Sequence, residues 1–314
     1  MQVFVRERRF VSATGVCDVR CRVWAPEEPC GALQLTHGLC EQLERYEALA
    51  QYLAANGWLC YGMDNPGHGK SQRAGQPASY FGDAGGWDAL IADMATLRNL
   101  ILSDYPALPA VLLGQGFGSL LARSYAARRG GDFHGYAFFG TAGGGFLRYR
   151  VARMQLAKQI KAGRGMGTAD ELFRKYTERF EKSVPGATTP FCWLSRDEGA
   201  VLEYLGDPLC GKVPTVYALR DVLDGLLEVS DARWAQRQSR RPVYLASGAC
   251  DPIGRAGRGV LQVERWLLKA KRRVSLKLYP LARHDILHET IRDTVFADLL
   301  LFLESVAVLG EYGN

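Results

Sequence analysis

Nowhere in this 314-residue sequence do eighteen apolar residues run together, and its first ten residues, MQVFVRERRF, hold charges instead of an apolar signal core. These gaps argue against a membrane span and a secretory leader, and a soluble, cytoplasmic chain is the expectation. The eight cysteines include no C-x-x-C pair, so neither a zinc site nor a disulfide framework is signalled, and reduced, mostly buried thiols are expected. No Lys/Arg run alternates with stacking aromatics, and no helix-turn-helix or RNA-binding signature occurs, so the net charge of +6 does not call for nucleic acid. Tandem repeats and low-complexity segments are also missing.

What is present is the raw material of a large core: 47% hydrophobic and 23% charged residues. Apolar runs of strand length alternate with amphipathic runs of helix length, the pattern of a parallel sheet covered by helices. Val3 to Ser12 and Asp18 to Trp24 read as a hairpin, followed by strands at Ala32–Thr36, Trp58–Met63, Ala110–Leu113 and Gly135–Phe139. Helices are predicted over Leu43–Asn56, stopped by Asn56-Gly57, and over Asp88–Ser103, with another after the glycine cluster Gly114, Gly116 and Gly118. Beyond the run Gly143–Gly145 the alternation breaks down until Pro242, which reads as an insertion. It resumes at Val243 and ends in a helix over Thr290–Val308.

Five segments carry candidate chemistry. T-H-G-L-C-E-Q-L-E-R-Y-E (36–47) follows the third strand and D-N-P-G-H-G-K-S (64–71) the fourth. L-L-G-Q-G-F-G-S-L-L-A-R (112–123) runs from strand to helix. P-V-Y-L-A-S-G-A-C-D-P-I-G (242–254) and L-Y-P-L-A-R-H-D-I-L-H-E (278–289) place an aspartate and then a histidine after late strands. Gly69-Lys70-Ser71 is not a phosphate-binding loop, because Asp64 stands where that loop needs its first glycine and Gly75 and Pro77 follow. A dinucleotide fingerprint fails too, since Gly118 falls one residue early for G-x-G-x-x-G.

Taken in order, these motifs resemble the α/β-hydrolase superfamily, in its monoacylglycerol lipase and lysophospholipase-like branch, over nearly the whole chain. The resemblance implies a mostly parallel eight-stranded sheet flanked by helices. It divides the chain into core (1–141), helical cap (142–238) and core (239–314), with F-C-W-L-S-R-D-E (191–198) and D-P-L-C-G (207–211) as cap segments. It nominates Asp251 and His284 as the acid and base of a triad, the backbone N–H groups of Leu39 and Phe117 as oxyanion donors, and His37, Gly38 and Trp193 as substrate contacts. No metal or cofactor is implied. The middle position of the nucleophile elbow G-x-S-x-G is here Gly116, and Ser119 lies one helical turn too far along to replace the serine. A natural glycine and a deliberate Ser→Gly replacement fit equally well.

Three functions stay open at this point. One is a carboxylic ester hydrolase for a monoacylglycerol, lysophospholipid or similar ester, with activity lost or residual. Another is a binding protein that takes a lipid or an anion at the empty elbow. The last is altered catalysis, with Asp251 and His284 activating a water or Cys40 serving as a displaced nucleophile. Between Phe146 and Ser183 stand ten Lys/Arg against four Asp/Glu, an excess equal to that of the whole chain. In the resemblance this basic segment overhangs the pocket with Leu147, Val151, Met154 and Ile160, suiting anionic lipid heads or peripheral membrane contact, although exposed charges are more often a plain solvated face. The oligomeric state is not readable.

Overall fold

The computed structural model describes residues 2–187 and 189–311. Its strands are β1 (Val3–Val11), β2 (Asp18–Pro26), β3 (Gly31–Thr36), β4 (Trp58–Met63), β5 (Ala110–Gln115), β6 (Gly135–Phe139), β7 (Val243–Gly248) and β8 (Val274–Tyr279). They form one sheet in the order β1-β2-β4-β3-β5-β6-β7-β8. The opening hairpin is antiparallel, β2 also meets β4 antiparallel, and every pair from β4 to β8 is parallel. The expected mostly parallel, eight-stranded sheet is therefore what forms.

Residue type explains each strand's place. Every residue of β3 to β7 is buried, as a strand covered on both faces must be, and these segments read as near-continuous apolar runs. At the edges β1 carries Arg6, Glu7, Arg8 and Arg9, while β8 alternates half-buried with exposed positions, so neither edge offers a flat apolar template.

Helices cover both faces. α1 (Glu47–Ala55) and α10 (Arg292–Glu311) close one side over Leu33, Leu35, Val111 and Leu113. α2 (Gly86–Leu102), α3 (Phe117–Arg128) and α9 (Arg258–Lys269) close the other over Ala32, Leu112, Tyr136 and Leu245. The alternate residues of β3 and β5 divide between the two faces, as the two-residue period of a strand requires.

Between β6 and β7 come five helices: α4 (Phe146–Lys161), α5 (Asp170–Glu181), α6 (Glu198–Gly206), α7 (Val216–Val229) and α8 (Ala232–Arg237). α7 and α8 pack into the main core through Val222, Leu223 and Trp234. A separate small cluster, including Val184, Trp193, Leu194 and Tyr204, holds the middle of the interval together. One expected helix differs: Leu43–Asn56 is a 3-10 turn over Leu43–Tyr46 followed by α1. The turn is pinned at its start, where Leu43 N–H donates to Asp64 Oδ1 at 2.8 Å, and Tyr46 has φ −91° and ψ 10°, short of a helical residue.

Candidate active site

The loops that follow β3, β5, β7 and β8 all leave the same edge of the sheet, the carboxyl ends of parallel strands, where open α/β sheets bind ligands. β5 turns into α3 through Gly116, which has φ +54° and ψ −115°. This backbone is one that residues with a side chain adopt only under strain. The turn is tight because its neighbours lack side chains: one on Gly114 would run into the Gly118 backbone, and one on Gly118 into the Thr36 carbonyl.

His284 stands over this apex. A Cβ on Gly116 would lie 2.9 Å from His284 Nε2, and no other atom comes within 3.4 Å of it. The other ring nitrogen, Nδ1, lies 3.1 Å from Asp251 Oδ2. Asp251 is fully buried and also accepts from Ser247 Oγ at 3.2 Å and from Ile253 N–H at 2.8 Å. Burial alone would disfavour the imidazolium of His284, but the Asp251 carboxylate, helped by Asp285 and Glu41, outweighs it and holds the pKa above the usual histidine value. A base aimed at the apex, oriented from behind by a buried carboxylate, is the arrangement of general base catalysis.

Phe117 is the first residue of α3, so its N–H has no intrahelical acceptor. Leu39 N–H likewise has no protein acceptor among the described residues. The Leu39 loop is held from both sides. Below it, Glu41 accepts from Gly38 N–H and from Tyr46 Oη, each at 2.5 Å, and pairs with Arg45. Above it, Tyr204 Oη and Gly211 N–H both donate to the Cys40 carbonyl, at 3.0 and 2.8 Å. Arg45 continues the network to Asp285 at 3.0 Å, and Asp285 meets His288 Nδ1 at 2.9 Å.

A cavity of about 240 Å³ opens above Gly116. Gly38, Leu39, Phe117, Trp193 and His284 line it, and Leu120, Tyr149, Phe173, Phe180, Leu219 and Leu223 give it a largely apolar wall. The Trp193 ring packs 5.5 Å from the His284 imidazole. Three arginines, Arg148, Arg179 and Arg255, also face the cavity.

Three expectations need correction, those for His37, for the apolar residues of the 146–160 segment and for Cys40, whereas Ser119 lies off the apex as expected. His37 does not line the cavity: its Nε2 accepts from Asn65 N–H at 2.9 Å, which leaves Nδ1–H to donate to the Gly38 carbonyl at 2.7 Å, so the ring is spent on shaping the turn. Leu147, Val151 and Met154 point outward from α4, each more than half exposed, and Ile160 packs against the core, so the apolar wall comes from other residues. Ser119 is fully buried and its hydroxyl donates to the Gly116 carbonyl at 2.5 Å, which removes it from the apex. Cys40 does line the cavity, but burial pushes its thiol up to about 12, which keeps it protonated near neutral pH. His68 stacks on Phe81 at 5.7 Å, and burial lowers it to about 3, as befits a neutral structural ring.

Sequence reasoning missed Glu41, Arg45, Tyr204, Arg148 and Arg255. Glu41 and Arg45 lay inside the quoted segment 36–47, where an acid and a base four apart were a usable signal. No helix among the described residues is long and apolar enough to cross a membrane.

The family model for "Serine aminopeptidase, S33" matches residues 27–291. A monoacylglycerol lipase of Mycolicibacterium smegmatis is 27% identical over 299 residues, covering 94% of this chain and 96% of that protein. Human monoglyceride lipase is 34% identical over 116 residues, or 37% of this chain and 36% of its own length. The crystal structure of a highly thermostable carboxyl esterase from Bacillus coagulans, in complex with glycerol, superposes with a TM-score of 0.92 at 28% identity, over 98% of this chain and 100% of that one.

Proposed function

Because the chain belongs to the serine aminopeptidase, S33, family of α/β-hydrolases, we propose that it is a lipid-ester hydrolase of the monoacylglycerol lipase type in which Gly116 occupies the nucleophile position, leaving turnover lost or residual. The observation that carries this reading is the 2.9 Å between His284 Nε2 and the site of a Gly116 Cβ, at a backbone of φ +54° and ψ −115°. A base and a sharply turned apex meet there, and in this reading only the hydroxyl between them is missing.

In this reading His284 is the general base and Asp251 its orienting acid. Leu39 and Phe117 donate their N–H groups to the carbonyl oxygen, while Gly38 and Trp193 bound the acyl ester. Without a hydroxyl no acyl-enzyme forms. What remains is direct attack by water: His284 Nε2 takes the water proton as its oxygen adds to the ester carbonyl, then returns the proton to the departing alkoxide. Oxyanion donors and binding alone sustain roughly 10³- to 10⁴-fold over the uncatalysed reaction, several powers of ten short of a full triad.

An ester fits the cavity better than a peptide amine. Its wall is mostly apolar, and the two carboxylates lining it, Glu41 and Asp285, are both paired with Arg45, so neither is free to hold a substrate ammonium group. Residues 142–238 act as the lid, between core segments 1–141 and 239–314. The outward stripe Leu147, Val151 and Met154 beside Arg150, Lys158 and Lys161 supplies peripheral membrane contact. A second reading, ligand binding without turnover, draws on the same apolar cavity over a side-chain-free apex.

The test is hydrolysis of p-nitrophenyl butyrate and a monoacylglycerol by this chain and by Gly116→Ser. The substitution is expected to raise the rate by about three powers of ten or more. Comparable rates would refute the assignment of Gly116, and inactivity of both would favour the binding reading.

A further inference from the structure

The glycine run Gly143–Gly145, which ends the strand–helix alternation, has no part in the chemistry above. Gly144 and Gly145 have φ of +71° and +86°, and two arginines crowd against them. A Cβ on Gly144 would lie 3.1 Å from Arg255 Nη2, and one on Gly145 would lie 2.9 Å from Arg148 Nε. Because adjacent Cα atoms are only about 3.8 Å apart, both guanidinium groups meet the same short stretch of backbone.

Neither arginine has a carboxylate partner among the described residues. Arg255 Nη2 donates to the Gly143 carbonyl at 2.9 Å, and Arg148 Nη2 to Tyr149 Oη at 2.9 Å. The Nε of each is buried with no acceptor. Two arginines against the same turn, each with a buried Nε that has no acceptor, on the wall of a largely apolar cavity whose carboxylates are already paired with Arg45, are the makings of an anion site. Arg179 lines the same cavity and is also without an ion pair among the described residues.

The site lies within reach of the reacting centre. A Cβ on Gly140 would lie 3.0 Å from His284 Cε1, and Gly144 is four residues on. Four residues of extended chain span at most roughly 14 Å, the reach of a short acyl chain or a glycerol head. We infer that the ligand of this cavity carries, besides its carboxylic ester, an anionic group, a carboxylate or a phosphate, held between Arg148 and Arg255. This inference rests on the lipid-ester reading of the same cavity and narrows it to charged monoesters.

The anion has two possible sources, the head group or the far end of the acyl chain. Calorimetric titration of the unmodified chain, which is not expected to consume its ligand appreciably, with three probes separates them: glycerol monodecanoate, its 3-phosphate, and the glycerol monoester of decanedioic acid. At least one anionic probe is expected to bind about ten-fold or more tightly than the neutral one, and to lose that advantage as salt is raised. The phosphate ester winning places the anion on the head side, and the decanedioate winning places it on the acyl side. The preference should collapse in Arg148→Gln and Arg255→Gln and be partly kept in Arg255→Lys. Equal binding of all three probes, or a preference indifferent to salt and to both Gln variants, would overturn the inference while leaving the ester reading intact. Binding of none of the probes would overturn both.

Discussion

Behind and beside His284 the carboxylates are partnered: Asp251 behind the ring is fully buried and takes three hydrogen bonds, and Asp285 beside it is tied to Arg45 and His288. At Gly116, directly opposite, there is backbone alone, with φ +54° and nothing between the apex and the imidazole. The two sides of the cleft are positioned by different physics. The His284 side is held by a buried ion and hydrogen-bond network that reaches through Glu41 to the Leu39 loop, whereas the Gly116 side is held by close backbone packing at Gly114 and Gly118. Backbone packing does not depend on the residue at the apex, so the turn needs no side chain there to keep its shape.

The largest effect on this contrast should come from cutting the network. Glu41→Ala would leave Arg45 short of one partner and strand Gly38 N–H and Tyr46 Oη, and is expected to cost about 3–5 kcal/mol in denaturant unfolding. A cost below about 1 kcal/mol would mean the network does not hold the loop.

Adding a side chain at the apex should cost less. Gly116→Ala must adopt a left-handed backbone and push His284 aside from a 2.9 Å approach, for about 1–3 kcal/mol. An unchanged midpoint would show that the apex is unstrained and the two sides alike.

The smallest effect is on pH. In Gly116→Ser the base must be neutral, and the carboxylates around His284 hold its pKa above the usual value despite burial. The restored rate should therefore rise with pH, with its half-point above about 6.5. By the same linkage, the His284–Asp251 attraction stabilises the fold fully below the unfolded value of about 6.5 and fades as pH rises through the folded one. A half-point below 6.5 would mean that burial, not Asp251, dominates.

Much of this was legible in the chain. Trp58–Met63 and Gly135–Phe139 were readable to the residue, because strands buried on both faces are short apolar runs between breakers. Asp251, His284 and Gly116 meet in the fold as their motifs suggested, since each follows a strand and strand ends share one edge. The interval between β6 and β7 was not legible in the same way. Leu147, Val151 and Met154 look like core and face outward, while Arg148 looks like surface and faces the cavity, because the side of a helix that turns inward is set by tertiary contacts. The ties from Tyr204 and Gly211 to Cys40 span more than 160 residues, and no local pattern announces them.

The central claim is that the cleft is a complete serine hydrolase site short of one hydroxyl. Fluorophosphonate labelling, read by intact mass, tests it most directly. The account predicts no adduct on this chain and one stoichiometric adduct on Gly116→Ser, lost again when His284→Ala is added. An adduct on the unsubstituted chain, or a folded Gly116→Ser that stays unlabelled, would contradict it.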